Sequence, residues 1–227
     1  MHFLILGLIV VAVLFGPQLW ARAVLSRYSR PRRDFPGSGG QLARHLLDRL
    51  DMGAVKVETT EMGDHYDPMA KVVRLSPQNF DGKSLTAVVV AAHEVGHALQ
   101  DRLGYAPLQW RTRLVKLAQV AEKTGSGVMM VMPLVAMAMR SPSVGAAMFA
   151  VGLLTMAGAV LVHLVTLPVE WDASFKRALP LLNKGKYLNV DDQKAARKIL
   201  RACALTYAAA SLASLLNIWR WLRLWRR

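Results

Sequence analysis

The chain has one cysteine, Cys203, among 227 residues. An intrachain disulfide is therefore excluded, and so is a metal site built on several thiolates. Any metal held here must be held by histidine and carboxylate. Acidic residues are also scarce: 15 Asp and Glu stand against 29 Lys and Arg, a net charge of +14. Charged residues of both signs make up only 19%, too few for a disordered polyelectrolyte. What the chain has in abundance is apolar residues, 53% of the total. That length and content allow one or two domains with a sizeable core.

The apolar residues fall in long runs. Residues 3–20 (FLILGLIVVAVLFGPQLW) are uncharged and about long enough to cross a ~30 Å hydrocarbon core as a helix. No basic residue precedes the run and no small-x-small site precedes Arg22 and Arg27, so it reads as a retained anchor rather than a cleaved signal peptide. Two more stretches, 125–139 and 144–169, flank the breaker turn Arg140-Ser-Pro-Ser143 and read as a membrane hairpin. His163 inside the second of these reads as a neutral side chain bonded to a neighbouring helix. A fourth run, Ala202–Ile218, ends in WRWLRLWRR, whose alternating Trp and Arg suit a headgroup layer. The expected order is an anchor (1–21), a polar domain (22–124), a transmembrane hairpin (125–168), a polar segment (169–201) and a C-terminal transmembrane helix with a basic-aromatic tail (202–227).

Lys and Arg concentrate in residues 21–123 and 168–201, which hold 16 and 8 of the 29. With four crossings these segments share one face, the cytoplasmic one by the charge rule. The expected location is a cell membrane, with the polar domain on the cytoplasmic side. Anionic lipid accounts for the basic excess, and no nucleic-acid motif accompanies it, so no nucleic-acid partner is expected. Gly158, Ala209 and Ala210 would allow close helix packing, with a membrane partner or a second copy.

Within the polar domain, Leu42, Leu46, Leu47 and Leu50 share one helical face, and Ser84 is a plausible cap for a helix over about 84–103, closed by Gly104. Residues 55–58 and Lys71–Leu75 read as short strands, and Asp64–Pro68 between them as a turn. Residues 29–40, rich in Pro, Gly and Arg, read as a linker.

The predicted helix contains His93-Glu94-Val95-Gly96-His97. Positions four apart lie on one face, one turn above each other, so His93 and His97 can close on a single Zn²⁺. Glu94, beside the first of them, can reach an attacking water and act as general base. Gly96 leaves the helix surface open between the two imidazoles. A polar trio in the apolar run AVVVAAHEVGHAL needs partners, and a metal supplies them.

Catalytic zinc takes three protein ligands and keeps one position open. After His97 the chain reads ALQDRLGYAPL, with no third His at a fixed spacing. A hairpin that crosses out and back would return Glu170 and Asp172 to the side of the histidines. Glu170 is the favoured third ligand, with Asp172 orienting a ligand His, and the inverse assignment stays open. His65 and Tyr66, in the turn, could polarise a carbonyl, although a plain surface turn explains both.

The blocks DHYDPMAKVVRLSPQNFDG, AAHEVGHALQD and TLPVEWDAS together resemble the YugP-type neutral zinc metallopeptidases, membrane-embedded relatives of the gluzincin peptidases. The resemblance runs from about Arg30 to Leu182. With the four apolar runs, the expected fold is mainly α, about four transmembrane helices plus a small zincin-like α+β domain with a short edge strand or hairpin. It implies one catalytic Zn²⁺, with His93 and His97 as ligands, Glu94 as base and the family's Glu at Glu170. The implied activity is endopeptidase cleavage of protein or peptide substrates near the membrane surface. Related gluzincins often carry Asp four residues after the ligand Glu, where this chain has Ser174. In zincin-like folds a strand edging the cleft pairs with extended substrate, and Val72, Val73 and Arg74 are the candidates. The competing reading is a non-proteolytic zinc-binding membrane scaffold, in which Glu94 would have no task.

Overall fold

The computed structural model describes the backbone of residues 2–117, 120, 147, 162 and 165–215. Helix α1 (His2–Arg27) is followed by α2 (Gly39–Arg49), β1 (Lys56–Thr59), β2 (His65–Asp67), β3 (Val72–Leu75), α3 (Pro77–Phe80) and α4 (Leu85–Arg102). Residues 106–117 (α5) and 165–171 (α6) are helical. A π-helical segment, π1 (Asp172–Ala178), runs into α7 (Leu179–Lys184), and α8 (Val190–Leu215) ends the described chain.

Local chemistry sets the boundaries. Ser38 and Gln41 form a reciprocal capping box at the start of α2, the Ser38 N–H donating to Gln41 Oε1 at 2.9 Å. Ser84 Oγ accepts from the Ala87 N–H at 3.1 Å and starts α4. Gly104, in the left-handed region at φ +63°, follows the end of α4. The segment before α2 is pinned rather than free, because Arg32 bridges to Asp34 and to Asp192 of α8.

Helix α4 is the axis of the molecule. Residues 85–98 are buried without a break, as expected of a helix that is apolar on all sides. It packs against α2, the sheet, π1 and α8. One core joins Leu47 of α2, Val73 and Leu75 of β3, Val89 and Val95 of α4, Leu182 of α7, and Ile199 and Leu200 of α8. Burying each such side chain contributes roughly 1.5–3 kcal/mol. The shared core fixes α4 against π1, and so fixes what each carries.

The sheet order is β1-β3-β2, with β1 parallel and β2 antiparallel to β3. Two expectations are corrected here. Asp64–Pro68 is not simply a turn: His65, Tyr66 and Asp67 pair with Arg74, Val73 and Val72 as strand β2. Val72, Val73 and Arg74 are not an edge. They lie on the central strand, bonded on both sides, and have no ladder left for a substrate.

The architecture is mainly helical with a small sheet, and the four transmembrane helices are not supported. Among the described residues, no helix is long and apolar enough to cross a membrane. Helix α8 shows one reason. Asp191, Asp192, Lys194, Arg197, Lys198 and Arg201 occupy its first half, and Ala202, Cys203 and Ala204 are buried inside the protein rather than left for lipid. The expected hairpin over 125–168, with His163 and Gly158, lies almost entirely outside the described residues. So do residues 216–227 and the side chains of residues 1–11, 13, 14 and 207–215, which include Ala209 and Ala210.

Candidate metal centre

His93, Glu94 and His97 stand on the middle turns of α4, where the helix is most enclosed; their exposures are 2%, 4% and 4%. Glu170 comes from the last turn of α6 and is fully buried. The two imidazole rings meet edge to face, 4.7 Å apart at 79°. The Nε2 atoms of both lie 3.2 Å from the same oxygen, Glu170 Oε2. The donor atoms of His93, His97 and Glu170 all fall within 4.8 Å of one another, so the three could hold a metal ion.

The far side of each ring is held. Gln100 uses both amide protons, donating to the Val169 carbonyl at 2.9 Å and to Asp172 Oδ2 at 2.8 Å. Its carbonyl oxygen therefore faces His97 Nδ1 at 3.0 Å, and that nitrogen must donate. Ser174 Oγ gives its single proton to the Leu200 carbonyl at 3.2 Å, so His93 Nδ1, 3.1 Å away, must donate to it. With both Nδ1 atoms protonated, both Nε2 lone pairs point at a carboxylate oxygen. Lone pairs and an anion do not face one another bare in a buried site; a cation must lie between them, either protons on the imidazoles or a metal. Nitrogen, nitrogen and carboxylate oxygen with an open side is a donor set suited to zinc.

Electrostatics agree. Burial works to raise the Glu170 carboxyl, yet the charge of His97 and hydrogen bonds from both imidazoles hold it below the usual carboxylate range. Its second oxygen, Oε1, is buried without a hydrogen bond and lies 3.2 Å from Arg111 Nη1. Glu94 goes the other way: burial, opposed by His93 and reinforced by Glu170 and Asp64, pushes its carboxyl up to about 7. Such a group can take and return a proton near neutrality.

Glu94 and His93 open onto a cavity of about 330 Å³ whose other walls are Leu25, Asp64, Val90, Cys203 and Thr206. Burial, with the carboxylates of Glu94, Glu170 and Asp64, pushes the Cys203 thiol well above its ordinary value, so it stays protonated. A larger hollow of about 550 Å³ beside α2, bounded by Arg44, His45 and Asp81 among others, shares no residue with the metal cluster.

The other sequence candidates lie apart from this centre or act through it. Asp172 touches neither imidazole; it accepts from Gln100 and from Arg177 Nε at 2.9 Å, and so acts on His97 through Gln100. Tyr66 donates to Asp101 at 2.6 Å, and His65 Nδ1 is 2.8 Å from its own loop's Gly63 carbonyl. Gly96 does not keep a face open: a Cβ there would lie 2.7 Å from the Ala173 carbonyl oxygen, so its hydrogen lets π1 approach α4. Gln100, Arg111 and Asp64 were not singled out from sequence. Only Gln100 carried a signal, standing three residues after His97 on the same helical face.

The chain matches, over residues 3–226, the model of a family described as "Putative neutral zinc metallopeptidase". It is 33% identical over 222 residues to a Bacillus subtilis (strain 168) protein called "Putative membrane protease YugP", covering 97% of this chain and 95% of that one. No solved structure matches the chain.

Proposed function

The chain belongs to the neutral zinc metallopeptidase family, and from that premise we propose that it is a zinc-dependent endopeptidase in which His93, His97 and Glu170 hold the ion and Glu94 is the general base. The observation that carries the reading is the convergence of two imidazole Nε2 atoms on one Glu170 oxygen, each ring held from behind as a donor. When bound, zinc supplies Lewis acidity, polarising a peptide carbonyl and lowering the pKa of water toward ~7.

The chain's own residues do the rest. Glu94 takes a proton from the attacking water and returns it to the leaving amine. Gln100 and Ser174 keep both imidazoles in the tautomer that leaves Nε2 open. Burial excludes bulk water around the ligands and strengthens each interaction there. The substrates in this reading are proteins or peptides. The relative's name supports association with a membrane, and hydrolysis close to a membrane surface is part of the proposal.

The test is cleavage of a denatured protein by the zinc-loaded chain, compared with E94Q. Loss of cleavage with zinc retained supports the peptidase. Undiminished cleavage by E94Q removes the assigned base.

A further inference from the structure

The cavity beside Glu94 has an uneven lining. Leu25, Val90, Cys203 and Thr206 present small or apolar surface, and one wall is the carboxylate of Asp64. That carboxylate is held still: Oδ1 accepts from the Ser76 N–H at 2.7 Å and from Ser76 Oγ at 3.0 Å, and Oδ2 accepts from Asn79 Nδ2 at 2.7 Å. Among the described residues these three hydrogen-bond donors are all neutral, so Asp64 is oriented without a direct ion pair. Glu94, 4% exposed and on the same cavity, makes no hydrogen bond through its carboxylate among the described residues. The cavity thus combines an apolar sleeve with a fixed carboxylate on the wall that also carries Glu94.

The three donors stabilise the carboxylate, and in a partly enclosed cleft a cation brought beside it adds a further attraction. The net charge of +14 makes this local sign stand out, because the chain as a whole repels cationic ligands. Resting on the peptidase reading, we propose that Asp64 is a specificity-determining residue, and that the peptide seated beside Glu94 carries an ammonium or guanidinium group that pairs with it. A Lys or Arg side chain fits the lining well, with its aliphatic stem against Leu25 and Val90 and its charged head at Asp64. A free peptide N-terminus presents the same chemistry on a shorter reach. The bonds to Ser76 and Asn79 also tie the start of β2 to α3, and a purely structural Asp64 would give no preference for charge.

The experiment measures binding of three hydroxamates to the zinc-loaded full chain at pH 7: N-acetyl-lysine hydroxamate, N-acetyl-norleucine hydroxamate and norleucine hydroxamate with its amine free. The first and third differ from the second by one cation, placed on the side chain or on the backbone. At least one is expected to bind about tenfold or more tighter than the neutral compound, as a partly buried charge pair would give. Which one does so identifies the source of the cation. In D64N that ratio falls toward one. Equal affinity for all three in the wild-type chain overturns the Asp64 assignment while leaving the metal site standing. A zinc-loaded chain that binds no hydroxamate overturns the peptidase reading and this inference together. The wild-type comparison needs no variant, so a folding defect in D64N does not blunt it.

Discussion

A Cβ on Gly96 would sit 2.7 Å from the carbonyl oxygen of Ala173, closer than carbon and oxygen tolerate. Glu170 lies three residues before Ala173, so the gap closed by Gly96 sets the distance between the imidazoles and their shared carboxylate. In an open helix Gly→Ala stabilises by roughly 0.5–1 kcal/mol, whereas overpacking a fitted contact costs roughly 1–3 kcal/mol. The clash wins. G96A is expected to lower stability by about 1–2 kcal/mol and to weaken zinc binding, read by thermal unfolding and a chelator competition. A variant as stable as the parent, with unchanged zinc affinity, would show that the contact is slack.

Gln100 offers a second check. Its amide links Asp172 and the Val169 carbonyl to His97 Nδ1 and is wholly buried. Q100A leaves those groups without their partner and frees the ring to turn. Zinc affinity is expected to fall about 10–100-fold, and stability by about 1–3 kcal/mol. Chelator competition at fixed pH reads the first effect. Unchanged affinity would mean that packing alone orients His97.

The raised Glu94 carboxyl predicts a pH dependence for the metal-free chain. Its folded value, about 7, lies above the ordinary 4.5. The folded state therefore holds the proton more tightly, and the penalty for burying the Glu94 charge is absent below the lower value and fully present above the higher. Stability from this group falls as pH rises from about 4.5 to 7, by about 3 kcal/mol in all. E94Q removes the group. Metal-free E94Q is expected to be more stable than the parent at pH 8, with the gap closing toward pH 5. Denaturant unfolding at both pH values measures it, and a gap independent of pH would contradict the assignment.

What was legible in the sequence was local. His93, Glu94 and His97 lie within two helical turns, and Ser84 and Gly104 bracket that helix with ordinary capping chemistry. Glu170, expected from the return of the chain to the side of the histidines, meets both imidazoles. Relations between distant segments were not legible. Lys71–Leu75 looked like an edge because nothing in its residues says that β1 will pair with it in parallel on the far side from β2. Strand β2 was hidden as a turn by its brevity and by Pro68 just beyond it. Gly96 was read as opening the helix surface, when its actual neighbour is a backbone carbonyl 77 residues away in sequence. Apolar runs were read as membrane spans, yet Ala202–Ala204 are buried in the protein's own interior.

The central claim is that His93, His97 and Glu170 hold one zinc ion that Glu94 uses but does not bind. Elemental analysis of the purified full chain, together with peptide cleavage, tests it across four variants. One zinc per chain is expected in the parent and in E94Q, with cleavage only in the parent, and well under one zinc in H93A, H97A and E170Q. Full zinc occupancy in E170Q, or cleavage by E94Q at the parent's rate, would contradict the account.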